Sequence, residues 1–210
     1  RETTLSIYSQ DGNYLQDFDQ ALAQSGVQAT DVMAYTLFDI PGTVSGDTVS
    51  NLGEYGKPDM RLFEFIPVGQ YNNAEGTDYT LEPGQVLINP GSDSWGSSLT
   101  IGDRTWSVAG TVDGFPPSGL GINMMGNPML VVLPDEADIA WLQTLVPEEQ
   151  RNVTNIFAFN SPDPNRDAGI LKDTFEQITG ARPFGDTRQN FALSLQSMYG
   201  SFLFVGIFVS

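Results

Sequence analysis

The feature that most constrains this chain is an uncharged apolar run over its last ten residues, 201–210, which read SFLFVGIFVS. A helix that spans a bilayer needs about 20 apolar residues, so this run alone is too short to span one. It fits either the first turns of a transmembrane helix or a buried C-terminal helix of a soluble domain, because a short apolar run does not distinguish the two.

The segment before this run favours the membrane interpretation. Asp186 or Thr187 can cap a helix, and an apolar stripe at helical spacing follows. The stripe consists of Phe191, Leu195, Met198 and Phe202. After Phe202 the one-sided stripe becomes an all-round apolar surface. We therefore predict that residues 186–210 form a stalk helix that continues into a transmembrane helix.

Charge and missing residue types narrow the functional classes. The 26 acidic and nine basic residues give a formal charge of −17, which repels nucleic acid and attracts cationic partners. The alternative is an outward-facing soluble domain that is merely acidic. The chain has no cysteine and no histidine, which excludes disulfides, thiol catalysis and serine–histidine devices. A carboxylate pair for glycoside hydrolysis stays possible, because spacing in sequence does not give spacing in the fold.

The two ends of the chain alternate between strand and helix patterns. Residues 4–8, 13–25 and 32–38 predict a strand, a helix and a strand, which together make a β-α-β unit. After Pro128 the sequence again alternates between strand and helix patterns. Strands are predicted at 129–133 and 153–159, and helices begin near Asp135 and Asp163, the second ending before Gly180.

The middle of the chain has a different composition, because glycine, serine and proline separate short β-prone runs. These runs are 62–66, 85–89, 98–101 and 105–112, with a hairpin turn at Gly102-Asp103. We predict an α+β fold in which residues 1–39 and 128–185 form one α/β subdomain. Residues 40–127 then form an inserted β-rich subdomain.

One loop in the middle segment stands out because residues 115–126 are rich in proline and glycine and carry no charge. If exposed, the loop presents an apolar, methionine-bearing surface of the kind that binds variable apolar ligands. Its candidate ligand-binding residues are Phe115, Leu120, Ile122, Met124 and Met125. The alternative is that the loop folds under a neighbouring sheet as a satellite core.

Two stretches resemble a known family. Residues 199–208, YGSFLFVGIF, are similar to the entry from stalk to membrane in FtsX/MacB-type ABC transporter permeases. The likeness is greatest to the bacitracin-resistance (BceB-like) branch. Residues 99–103 and 106–110, LTIGD and WSVAG, resemble a hairpin in the extracytoplasmic domains of these permeases. The order of the predicted segments also resembles a MacB-like extracytoplasmic domain.

The resemblance implies an extracellular domain of a cell-membrane permease that has no catalytic role and holds no cofactor itself. ATP is hydrolysed on a separate cytoplasmic ABC ATPase subunit, and a sensor histidine kinase is a further possible partner. The implied ligand is a cationic antimicrobial peptide or a lipid-linked molecule, with Phe191, Leu195, Met198 and Phe202 in a stalk that couples binding to the membrane helices. The rival interpretation is a freestanding acidic secreted protein, either a hydrolase or an adhesion module.

The double substitution Met124→Ser/Met125→Ser separates the two interpretations of the loop. If the loop contacts ligand, binding weakens while the melting temperature stays nearly unchanged. If the loop is part of the core, the unfolding free energy falls by about 2–5 kcal/mol, the range for large-to-small core substitutions. One thermal melt and one titration decide, and a large fall in melting temperature contradicts the binding loop.

Overall fold

The computed structural model describes residues 3–9, 12–57, 59–91, 94–113 and 128–190. These residues contain ten strands and four α-helices of eight or more residues, with a short 3-10 turn at Glu148–Gln150. The strands are β1 (Thr3–Ser9), β2 (Thr30–Ser45), β3 (Thr48–Ser50), β4 (Met60–Pro67), β5 (Gln85–Asn89), β6 (Ser98–Ile101), β7 (Arg104–Thr111), β8 (Met129–Leu133), β9 (Asn152–Asn160) and β10 (Phe184–Thr187). The helices are α1 (Leu15–Ser25), α2 (Val68–Glu75), α3 (Glu136–Thr144) and α4 (Pro164–Thr179).

Seven strands form a closed ring in the order β2-β3-β6-β7-β5-β8-β4, and β2 pairs with β4 to close it. The pairs β3–β6, β4–β8 and β5–β7 are parallel and the others are antiparallel, so this is a mixed barrel. We call the antiparallel pairing of residues 38–43 with residues 60–65 the closing seam.

Strand β2 is 16 residues long and belongs to two structures at once. Its second half lies in the barrel, while residues 30–39 pair with β9 in a sheet of order β10-β1-β9-β2. In this sheet β9 separates β1 from β2, and β1 separates β9 from β10. The units β1-α1-β2 and β9-α4-β10 are therefore two interleaved split β-α-β units, with α1 and α4 packed against each other.

Three apolar clusters hold these parts together. The barrel interior contains Phe63 and Trp106, and Leu142 of α3 packs against it. Beneath α1 and α4, Phe18 stacks on Phe157 with ring centroids 4.1 Å apart. The third cluster lies between the outer barrel wall and the other face of the sheet. It includes Tyr35, Leu37, Ile66, Tyr71, Leu130, Val132 and Ile156.

The predicted fold class is wrong. The chain is mostly β, a seven-stranded mixed barrel with three further strands and a few helices, and not a MacB-like α/β domain with a stalk helix. The error begins at Pro41 and Gly42, which look like a break in the sequence but lie inside β2. Gly42 is needed there because a Cβ would lie 2.7 Å from Val49 of β3. Continuing β2 past this point places it in the barrel.

The pairing expected for β8 is also wrong, since β8 was expected to join strands from the two ends of the chain. It pairs instead with β4 and β5, both from the middle segment. The division of the chain into 1–39 plus 128–185 and 40–127 stays a prediction, although β2 crosses its first border. In contrast, the bounds predicted for strands 85–89, 98–101 and 129–133 are confirmed.

Of the two residues predicted to cap a helix here, Thr187 and not Asp186 caps the helical turn at residues 188–190. Asp186 is paired with Thr4 in the β10–β1 ladder, so it does not open a helix. Residues 188–190 are helical, and the Asn190 N–H donates to the Thr187 hydroxyl at 3.2 Å. The stalk residues Phe191, Leu195, Met198 and Phe202 lie outside the described residues. No helix among the described residues is both long and apolar enough to cross a membrane.

The β10–β1 ladder makes Gly185→Ala a test of the edge of the sheet. Gly185 has φ +120°, and a Cβ there would collide with the Thr4 carbonyl oxygen. We expect the substitution to lower the unfolding free energy by about 1–3 kcal/mol. Gly169→Ala in α4 is the control, because its Cβ meets nothing and should stabilise by about 0.5–1 kcal/mol. Urea unfolding measures both, and equal stability of Gly185→Ala and wild type would contradict the ladder.

Candidate functional site

A cleft of about 170 Å³ lies between the loop before α1, strand β2 and helix α3. We call it the β2–α3 cleft. Its floor is apolar, because Phe38, Phe65 and Val153 reach it from the edge of the barrel core. Its walls carry polar side chains from three elements. These are Asn13 of the loop before α1, Thr36 of β2, and Glu136 and Gln143 of α3.

The wall before α1 is held in place by one buried amide. The side chain of Asn155 on β9 donates to the Gly12 carbonyl at 3.1 Å and accepts from the Tyr14 N–H at 3.0 Å. Asn13 lies between these two anchors, and its own side chain accepts from the Leu15 N–H at 3.0 Å at the start of α1. The position of this wall is therefore fixed by β9 and not by the loop itself.

The opposite wall is held by a hydrogen-bonded relay through Gln70 of α2. Strand β4 pairs with β2 only from residue 38 onward, so the edge of β2 before that point has no strand beside it. The Thr36 N–H donates instead to Gln70 Oε1 at 2.7 Å, and Gln70 Nε2 donates to Glu136 Oε1 at 3.1 Å. This relay satisfies a backbone donor and orients the Glu136 carboxylate.

Helix α3 presents different chemistry on two sides. Asp135 caps the helix by accepting from the N–H groups of Ala137 and Asp138. Away from the cleft, Arg104 pairs with Asp138 at 2.9 Å and lies 4.1 Å above the Trp141 ring. Burial and the neighbouring Asp135 raise the pKa of Asp138, although Arg104 acts in the opposite direction. The cleft side keeps Glu136 exposed above an apolar floor.

The arrangement of polar and apolar groups in the cleft suits ligand binding. A carboxylate beside buried aromatic rings suits a ligand with a cationic group and an apolar body. The chain has no histidine or cysteine. Across the described ranges no three carboxyl-bearing side chains converge in a way that would hold a metal ion.

A second group of polar residues lies on the other face of the closing seam. Asp39 of β2 and Glu64 of β4 are directly paired across the seam, and their exposed fractions are 2% and 0%. We call them the carboxyl pair. Asp39 Oδ2 accepts from the Asn152 amide at 3.1 Å and from the Thr154 hydroxyl. Asp39 Oδ1 and both Glu64 oxygens accept no hydrogen bond from the described part of the chain.

The two carboxyl groups have raised pKa values. Burial raises the pKa of Asp39 to about 7, although the hydrogen bond from Thr154 lowers it. Burial, and then the charge of Asp39, raises the pKa of Glu64 to about 8. Hydrogen bonds to a carboxylate favour its charged form, and only Asp39 receives them. The ionised form is therefore favoured at Asp39, and the protonated form at Glu64.

The carboxyl pair is not the pair of a glycoside hydrolase, because neither group lines the β2–α3 cleft and both are closed off from solvent. The sequence gives no signal for this pair. Asp39 lies between Phe38 and Ile40, and Glu64 lies between Phe63 and Phe65, so both look like outward-facing polar positions of half-buried strands. The outer barrel wall is covered by the third apolar cluster, which buries them.

The predicted ligand-binding residues of loop 115–126 lie outside the described residues. The residues that do form the cleft, such as Thr36 and Glu136, were not predicted from the sequence. Comparison of the chain with models of known protein families and with curated proteins gives no match.

The raised pKa values predict how stability depends on pH. Between about pH 4 and 8 the folded state holds protons that the unfolded chain has released, so stability falls as pH rises. The slope is at most about 1.4 kcal/mol per pH unit for each proton held. We expect the urea-unfolding free energy to decrease from about pH 5.5 to 8.5, a range in which ordinary carboxyl groups are ionised.

A variant with both Asp39→Asn and Glu64→Gln should show a nearly flat profile, while Glu82→Gln, in the exposed loop before β5, should keep the wild-type slope. The absence of histidine and cysteine keeps this pH range nearly free of other titrating side chains. Stability that is constant or rises toward alkaline pH would contradict the prediction.

Proposed function

We propose that this chain is the extracellular domain of an ABC transporter permease and that it binds a cationic peptide or a lipid-linked ligand in the β2–α3 cleft. The observation that carries the binding proposal is the exposed Glu136 carboxylate, oriented by Gln70 above an apolar floor. The assignment to a permease rests on the resemblance of residues 199–208 to a membrane entry.

The distribution of charge supports a cationic ligand. The chain carries −17, and its few cations do little to neutralise the rest of the surface, because several are already bound to carboxylates. Lys57 pairs with Glu54 at 2.9 Å, and Arg182 pairs with Asp173 at 2.8 Å. The remaining field favours approach of a cationic peptide over a lipid-linked molecule whose phosphates are anionic.

Arg104 illustrates how such a ligand would be bound. Its guanidinium group is held between a carboxylate, Asp138, and an aromatic face, Trp141. Glu136 with the rings of Phe38 and Phe65 offers an incoming cationic side chain a similar combination on the cleft side of α3. Binding is then coupled to the membrane helices and to the ATPase subunit.

A fluorescence anisotropy titration with a labelled amphipathic peptide of lysine and leucine tests the binding site. We expect Glu136→Gln to weaken binding about two- to fivefold, the size of one exposed charge contact. Glu82→Gln removes the same charge outside the cleft and should change the affinity little. Binding should also weaken with added salt, since exposed charges are screened over ~10 Å at 0.1 M.

One outcome would contradict the proposed binding site, and another would decide between the two proposed ligands. If Glu136→Gln and Glu82→Gln bind the peptide equally well, the cleft is not the binding site. If vesicles containing a lipid-linked wall precursor bind the domain and the peptide does not, the ligand is lipid-linked. The gene around this segment tests the permease assignment, because transmembrane segments are expected on both sides and a stop codon near Ser210 would support a freestanding secreted protein.

A further inference from the structure

The closing seam carries the carboxyl pair at the point where three strands meet. Asp39 is paired with Glu64 of β4 on one edge of β2 and with Asn152 of β9 on the other. Residues directly opposite each other in an antiparallel pair have Cβ atoms about 4.5–5.5 Å apart, so their side chains meet. Two acidic side chains therefore face each other where the barrel closes and joins the sheet.

Two ionised carboxylates could not remain at this position without a large cost. They would be like charges in direct contact, inside an apolar cluster that includes Leu37, Ile66 and Leu130. A proton on Glu64 removes this repulsion and supplies an O–H donor. Asp39, the residue paired with Glu64, has in Oδ1 an acceptor that the described residues leave without a partner. One proton thus satisfies an orphaned group on each strand.

We propose that Asp39 and Glu64 form a proton-binding site that keeps the barrel closed, and that release of the shared proton opens the pairing of β2 with β4. The occupant is a single proton, held between the two carboxyl groups. The site does not depend on the proposed transport function, because it follows from the position and burial of the pair alone.

The surroundings leave the pair as the group that titrates near neutral pH. Asn152 and Thr154 face it from β9, and Leu130 lies opposite Glu64 on β8, and none of the three titrates. Tyr35 of β2 and Tyr71 of α2 belong to the same cluster. Burial and nearby Glu75 raise the pKa of Tyr71 to about 12, so it stays neutral here.

Other charged groups near the pair point elsewhere. Arg61 of β4 is an odd number of residues from Glu64 and lies on the opposite face of the strand. Arg151 precedes Asn152, and its Nε donates to the Val146 carbonyl at 3.3 Å. Glu75, the charged residue of α2, contributes to Tyr71 and is not among the causes that shift Glu64.

Amide hydrogen exchange of the whole chain, measured at about pH 6, 7.5 and 9 and corrected for intrinsic rates, tests the opening. We expect residues 38–43 and 60–65 to lose protection by about tenfold or more across this range, since one proton is released over it. Residues 3–9, paired with 153–159, should lose much less. Equal losses in both regions, or none at the seam, would overturn the proposal.

Glu64→Gln provides the matched variant, because glutamine has the shape of a protonated glutamate but cannot release a proton. It should keep the seam protected at all three pH values, while Glu82→Gln should behave like wild type. If Glu64→Gln does not fold, infrared spectroscopy of the wild type still decides.

At about pH 6.5 exposed carboxyl groups are ionised, so a protonated-carboxyl C=O band would come from the pair. Its presence supports the site and its absence overturns it. Loss of the band on adding Ca²⁺ would also overturn it, because the pair would then be a cation site.

Discussion

The pairing of β2 with β4 is the interaction on which the rest of this structure depends. Without it the seven-stranded ring would be an open sheet, and the inner cluster around Phe63 and Phe65 would face water. The same strand pairs with β9, and β9 connects it to the rest of the split β-α-β sheet. Closing the barrel and attaching the sheet are therefore one structural event, carried by a single 16-residue strand.

The β2–α3 cleft exists because this pairing is incomplete. Strand β4 pairs with β2 only from residue 38 onward. The edge of β2 before that residue must satisfy its backbone groups in another way. The side chain of Gln70 does so for Thr36 and orients Glu136 at the same time. Asn155 performs the matching task on the other wall by holding residues 12–14. The side-chain amides of Gln70 and Asn155 thus hold the two walls of the cleft where the pairing of β2 with β4 ends.

Local patterns in the sequence predict much of the secondary structure but little of its arrangement. The apolar runs at 85–89 and 129–133, and the caps Asp135 and Gly180, are local signals and are found where expected. Strand β3 is three residues long, and α2 contains a glycine and two asparagines, so both lack a clear pattern. Strand partners are separated by up to 184 residues, as in the pairing of Thr3 with Thr187, and no local signal specifies them. The cleft depends on such distant pairings, and the carboxyl pair on the pairing of β2 with β4.

Neighbouring residue pairs of the closing seam lie on opposite faces. Phe38 is paired with Phe65 on the face that forms the cleft floor, and Asp39 is paired with Glu64 on the hidden face. Anything that spreads the two phenylalanines also separates the two carboxyl groups. A ligand in the cleft that spread the two rings would therefore be coupled to retention of the proton, and thermodynamic reciprocity would make each equilibrium sensitive to the other. The acidity of the medium would in that case act as an effector of this domain.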